Sequence, residues 1–510
     1  MFRAAAVFCF LMFIIPAMSF AQTITYSDYH AEDDRNIEFE ILGKIGQNYI
    51  IYKNIRTWKH ILQVFDMNMK ELSNDKLDYI SDKTFNMDFI PYANNFYMVY
   101  QYQKKGVIYC NAVNIDSEGK KISGPVTLDT SRMNFVGSNE VYSTSYSEDK
   151  SKILIYKLLP KNSKLSIVTK LYDSNLILLD STRRTIEYNE RKELFTDFQV
   201  DNDGNIVYAK ATRDGIREYL NQLEIITQAP HQKLSSTPVP LEKFYVDEIK
   251  IKIDNLNKTY ILNSFYYNER VGNIVGLLVA VQNPKTQINK IAFNPFPDSL
   301  RSRISPGEYR FAFNDFLLKN IFVKKDGSFI IAAEDFNAVT RSNAPWNRWD
   351  NLYSNNPGGY YYNNSNYYTD YRYNRYNSPY GYGPGGRYNE ITRYNYKNIL
   401  IAGVDSSLKI TWNNIILKSQ TDEEKENFLS YGTMNSGNEI HFLFIDKERN
   451  SQIISNHSIT NFGQIVRYPT LKSRETGYEF MPRLAKQVGL HQVIMPSIYR
   501  SYLVFAKIDF

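Results

Sequence analysis

A tight turn followed by a short apolar, aromatic-rich run recurs along this chain at nearly constant spacing, and no other feature restricts its fold as strongly. Gly46-Gln47-Asn48 precedes YIIYKN, Asn94-Asn95 precedes FYMVYQY, Asp203-Gly204-Asn205 precedes IVYAK, Asp326-Gly327-Ser328 precedes FIIAA, and Ser436-Gly437-Asn438-Glu439 precedes IHFLF. Counting three looser instances, the runs begin near positions 49, 97, 153, 206, 260, 329, 440 and 493, mostly about fifty residues apart. Glycine supplies positive φ in such turns, and Asn or Asp side chains bond their own backbone two residues on, so each reads as a hairpin corner. Aromatic residues make up 15% of the 510 positions, and long Ala, Leu, Glu and Lys periodicities are missing, which places the chain in the all-β class.

Most units carry a second reversal, an apolar strand that ends in Asp or Asn: Phe65-Asp66-Met67-Asn68, Ile115-Asp116-Ser117, Tyr172-Asp173-Ser174-Asn175, Val404-Asp405-Ser406 and Thr460-Asn461-Phe462-Gly463. Gln282-Asn283-Pro284 is a weaker example, and the fourth unit shows none. Two hairpins in each period amount to four strands per unit. The chain ends in YLVFAKIDF, where the other units turn into their fourth strand, so Thr23-Ile24-Thr25-Tyr26 is expected to supply the missing strand and join the two ends. On these residues the chain resembles the β-propeller superfold over positions 22–510, with eight blades favoured and seven as the alternative. The resemblance stops there, because WD, kelch and sialidase-type blade signatures are all absent. Two packed β-sandwiches would also accommodate short strands and frequent turns, but would not require the ends to meet.

Met1 to Ala21 has a basic residue at Arg3, an apolar run from Ala4 to Met18 and Ser19-Phe20-Ala21 before Gln22, the pattern of a secretory signal peptide. The run is shorter than the about 20 residues of a membrane-spanning helix. The expected location is therefore the periplasm, the cell surface or the medium, with no transmembrane segment after cleavage. Cleavage removes Cys9 and leaves Cys110, whose strand setting, Val107-Ile108-Tyr109-Cys110, suits a packed thiol. A formal net charge of +6 on 510 residues makes no case for nucleic acid.

His30, His60, His231, His441, His457 and His491 are scattered, and His441 and His491 are expected in strands, where packing or surface roles suit them. None belongs to a metal-binding spacing, and nucleophile elbows and phosphate loops are missing too. No catalytic residue, metal ligand or cofactor is assigned. Asp201-Asn202-Asp203-Gly204-Asn205 looks like a calcium loop but falls at an expected hairpin and reads as a turn. Carboxylates brought together from different blades in a central funnel would be the route to a polysaccharide hydrolase or lyase.

One stretch breaks the repeat. Residues 341–397 form a Trp/Tyr/Asn/Gly-rich insertion, and Tyr353 to Tyr396 in particular offers aromatic rings and amides with almost no aliphatic side chains. It cannot bury a core, so a disordered loop is expected. Strand parity places it between the second and third strands of the sixth blade, on the face that also receives the links Arg183–Glu193, Asn294–Asn320 and Gln420–Asn427. Glu423, Glu424 and Glu426 on this face read as a solvated charge run. Trp346, Arg348 and Trp349, with Tyr360, Tyr361, Tyr362, Tyr367, Tyr368 and Tyr371, are the candidate ligand-binding residues, because indole and phenol rings beside guanidinium groups stack on sugars or clasp polypeptides. The structural counterpart is that the two indoles pin the loop to the ring. The functional expectation is an exported, non-enzymatic protein that binds an envelope protein or glycan, with a polysaccharide-acting enzyme and a structural or adhesive assembly protein as alternatives.

Overall fold

The computed structural model describes residues 22–30, 37–55, 59–81, 84–132, 141–215, 219–270, 272–304, 312–340, 392–423, 426–448, 451–471 and 477–510. Local turn chemistry sets the repeat. Asp66 Oδ1 accepts the N–H groups of Asn68 and Lys70 at 2.8 and 2.9 Å, and Asp116, Asp173 and Asp405 do the same two and four residues on. The residue three beyond each Asp is left-handed: Met69 at φ 61°, Gly119 at 78°, Leu176 at 62° and Leu408 at 68°. The aspartates that end the apolar runs are thus the acceptors that hold the strand-to-strand reversals closed. Asp201 builds the same turn, accepting from Asp203 and Asn205 at 3.0 and 2.8 Å.

These hairpins assemble into eight antiparallel sheets among the described residues. In blade 1 the strands Glu38–Ile45, Asn48–Ile55, Lys59–Phe65 and Glu71–Lys76 run from inner to outer edge. Blades 2 to 7 repeat that order over 84–132, 143–187, 193–238, 245–295, 316–423 and 431–467. Second strands begin at 48, 95, 152, 206, 259, 329, 439 and 492, within two residues of the spacing legible in the sequence. Blade 8 has a split inner strand, Tyr478–Phe480 and Lys486–Gly489, then Gln492–Tyr499 and Tyr502–Asp509. Its outer strand is Thr23–Tyr26, which pairs antiparallel with the C-terminal strand from Thr23↔Asp509 to Tyr26↔Ala506. The molecule is an eight-bladed β-propeller closed by its N-terminal strand, and neither seven blades nor two sandwiches fits these sheets.

The core lies between blades. Tyr49, Ile51 and Phe65 of blade 1 pack on Ile494, Ile498 and Phe505 of blade 8, all fully or nearly fully buried, so one apolar seam bridges the first and last units. Turns on the short-turn face also tie neighbours: Asn202 Oδ1 accepts from Asp149 N–H at 3.2 Å, Asn255 Oδ1 from Asn202 N–H at 2.9 Å, and Gln487 Oε1 from Asn435 N–H at 3.0 Å. Between blades 6 and 7 the Trp412 ring slots between two glycines, where a Cβ at Gly403 or Gly463 would come within 2.3 or 2.5 Å of the indole. Cys110 is a packed thiol in the third strand of blade 2, and burial pushes its pKa up.

Some sequence expectations need correcting. The fourth blade does have a third-to-fourth reversal, over 229–234, without an Asp or Asn at its start. Arg183–Glu187 belongs to the outer strand of blade 3 and Gln420–Glu423 to a short strand of blade 6, so both links are shorter than expected. The long link between blades 5 and 6 contains a helix, Asp298–Ile304. His441 is in a strand, but His491 occupies a turn.

Candidate functional site

Pairing in blade 6 fixes where the aromatic insertion leaves the ring. The second strand Phe329–Thr340 and third strand Thr392–Val404 run past the rest of the blade and pair from Phe336↔Tyr396 to Thr340↔Thr392. Gln420–Glu423 adds a further antiparallel partner to the third strand, from Tyr396↔Gln420 to Arg393↔Glu423. The two ends of the insertion therefore emerge side by side from a three-stranded projection, on the face of second-to-third connections that strand parity assigns. Thr392–Lys397, read as part of the insertion, is strand instead. Trp346, Arg348, Trp349, Tyr360, Tyr361, Tyr362, Tyr367, Tyr368 and Tyr371 lie outside the described residues.

Beneath this projection is a set of buried charges that the sequence pattern did not single out. Tyr396 is 2% exposed and packs at 4.7 Å on Phe336. Its hydroxyl donates to Glu426 Oε1, which forms an ion pair with Arg483 at 2.7 Å. Burial acts to raise the Glu426 pKa, but the Arg483 charge and the Tyr396 hydroxyl outweigh it and hold the carboxyl below its ordinary value. Burial and the neighbouring carboxylates push the Tyr396 hydroxyl well above the usual tyrosine range, Arg483 opposing them, so it stays a donor. Glu426, expected in a solvated run, has a side chain only 15% exposed, whereas Glu423 faces solvent with Arg393 at 2.7 Å.

A second pair lies deeper. Lys418 Nζ is 2.7 Å from Glu334 Oε1 and donates to Gln420 Oε1 at 2.9 Å, while Ser430 Oγ donates to Glu334 Oε2 at 2.5 Å. Gln420 continues the network by accepting from Ser430 N–H at 2.8 Å and donating to Ile445 O at 2.9 Å. Lys418, Lys319 and Arg483 all sit near the Tyr396 ring, at 5.8, 5.8 and 5.9 Å. The available signal was the pair Glu334-Asp335 inside the run FIIAAEDF, two acids where a buried strand should be apolar.

Asp335 is the strained member of this group. Its side chain is buried, Oδ1 accepts no hydrogen bond, and burial together with nearby Asp315 pushes its pKa up to about 6, against opposition from Lys397 and Lys418. Between the unfolded carboxyl value of 3.8 and about 6 the folded protein holds a proton that the unfolded chain has released. Stability from this group is thus present at low pH and falls as pH rises through that window. Asp335→Asn should flatten the fall, leaving stability near pH 3.5 unchanged and raising it near pH 7. Thermal midpoints of parent and variant across the window measure this, and parallel curves would refute it.

No protein-family model and no curated protein matches the chain. Solved structures of similar shape include the WD40 domain of SCAP from fission yeast, at 10% identity and a TM-score of 0.40, covering 96% of this chain and 98% of that one. Prolyl oligopeptidase B from Galerina marginata matches at 7% identity and a TM-score of 0.40, over 92% of this chain and 56% of the enzyme. The polysaccharide lyase Uly1 matches at 8% identity and a TM-score of 0.37, over 82% of this chain and 89% of the lyase. The fold itself rests on the eight sheets and their closure. Among the described residues no helix is long and apolar enough to cross a membrane, and no group of three His, Cys, Asp or Glu side chains is placed to hold a metal ion.

Proposed function

We propose that this protein is an exported, non-enzymatic propeller that binds a protein or glycan of the cell envelope on the face from which residues 341–391 depart. The observation that carries this reading is the clamp at the root of that segment. Five residue pairs from Phe336↔Tyr396 to Thr340↔Thr392 bring its ends together over the Tyr396–Glu426–Arg483 network, giving a recognition loop a rigid base. Trp346, Arg348, Trp349 and the tyrosines at 360–362, 367, 368 and 371 are the contacts such a loop would offer. In the channel wall the buried carboxylate of Asp197 is engaged by Gln199 and the Ile251 N–H, an inter-blade tie, so it lends the hydrolase or lyase reading no support.

Because the ends already lie side by side, replacing 342–390 by a short Gly-Ser linker should leave the ring folded. The expected result is an unchanged far-ultraviolet circular dichroism spectrum with at least a tenfold loss of envelope material captured by the immobilised protein. Equal capture by parent and deletion would reject this use of the face. Capture of the chain's own copies alone would favour the assembly reading instead.

A further inference from the structure

We infer that the central channel holds, at the mouth opposite the insertion, a binding site for a small organic anion carrying a carboxylate or phosphate group. Inner strands run toward the short first-to-second turns, and a cavity of about 390 Å³ lies at that end of the channel, between the inner strands of several blades. Its size falls within the roughly 300–1,000 Å³ of small-molecule pockets. Four lysines from four blades line it: Lys44 of blade 1, Lys150 of blade 3, Lys252 of blade 5 and Lys486 of blade 8. Glu148 is the one carboxylate among the described lining residues.

Ammonium groups gathered in a partly dehydrated channel are held there at an electrostatic cost, which an oxyanion between them would offset. The surroundings bear this out. Burial pulls Lys150, Lys252 and Lys486 below the ordinary lysine range, and the Lys150 charge pulls Lys486 further down. Glu148 and Asp197 oppose the shift at Lys252, and Glu40 opposes it at Lys486. Lys150 is positioned rather than loose: its Nζ donates to Pro91 O at 2.5 Å, and its backbone carbonyl accepts from Tyr92 Oη at 3.0 Å. The same wall is braced by amides: Gln199 Nε2 donates to Asp197 Oδ1 at 3.2 Å and to Ile251 O at 2.5 Å, while Asn255 accepts from Asn202 N–H at 2.9 Å and donates to Glu148 Oε2 at 2.9 Å. The site shares no residue with the insertion's root, so it stands or falls independently of the proposed binding face.

Glucose, glucuronate and glucose 6-phosphate have one body and differ in charge, and titrating each into the full chain by calorimetry at about 10 mM, tenfold above a millimolar Kd, tests the inference. Inorganic phosphate serves as a fourth probe. Binding of glucuronate identifies a carboxylate site, and binding of either phosphate identifies a phosphate site. In both cases glucose should not bind, added salt should weaken the interaction, and Lys150→Met/Lys252→Met/Lys486→Met should lower affinity at least tenfold. Lys44→Glu, at an exposed position, provides a variant that keeps the fold and should still weaken binding several-fold. The 342–390 deletion should bind as the parent does. Failure of all three anions to bind, equal binding of glucose, or unaltered affinity in the lysine variants would overturn the site.

Discussion

Replacing Lys418 by methionine is expected to lower the stability of the ring by about 3–5 kcal/mol, the range for removing one partner of a buried ion pair. The Lys418 and Glu334 side chains are 1% and 0% exposed, so the variant leaves a carboxylate with no ammonium and no water. The loss should come mainly from that stranded charge, because Met fills nearly the same volume as the lysine stem. Adding Glu334→Gln removes the charge and keeps an oxygen to accept from Ser430 Oγ, so the double variant should recover at least half of the lost stability. Urea denaturation of parent, single and double variants decides the matter. A loss under about 1 kcal/mol in the single variant, or no recovery in the double, would mean that the pair is not the buried unit described.

The second large effect is expected at the closure. Deleting 22–30 removes the four-residue ladder with Tyr502–Asp509, the two bonds between Ser27 and Phe505 at 2.9 and 3.0 Å, and the stacking of Tyr26 on Tyr478 at 4.1 Å. Net contributions of about 0.5–1.5 kcal/mol per hydrogen bond, together with the partial burial of Ile24 and Tyr26 against blade 8, put the loss at several kcal/mol. The uncovered edge of the C-terminal strand is also a template for another chain. The shortened protein should melt earlier and show concentration-dependent self-association by light scattering, both reversed by a synthetic peptide of residues 22–30. A monodisperse truncation with the parent's melting temperature would show that closure contributes little beyond the apolar seam of blades 1 and 8.

Blade number, strand order and the closing strand were legible because their causes are local. Asp66, Asp116, Asp173 and Asp405 close their turns with their own backbone neighbours, so the signal sits within five residues and repeats with each unit. The fourth blade shows the limit of that method, since its second reversal over 229–234 lacks the Asp acceptor and left no pattern to count. Glu426 was misread for a related reason. In sequence it follows three other acidic positions at 422, 423 and 424, and nothing local indicates that Arg483 lies 2.7 Å from it.

By itself the sequence determined the all-β class, the eight repeats, the joining of Thr23–Tyr26 to the last strand and the side of the ring on which the tyrosine-rich segment departs. All of these follow from turn residues and from strand alternation, which act over a few positions and then recur. Only the tertiary structure decided that Glu334 and Lys418 share a buried pair, that Tyr396 reaches Glu426 and Arg483, and that Lys44, Lys150, Lys252 and Lys486 face one cavity. Those groups meet because closing the ring brings separate blades together, and the charge each side chain experiences is set by neighbours up to hundreds of residues away.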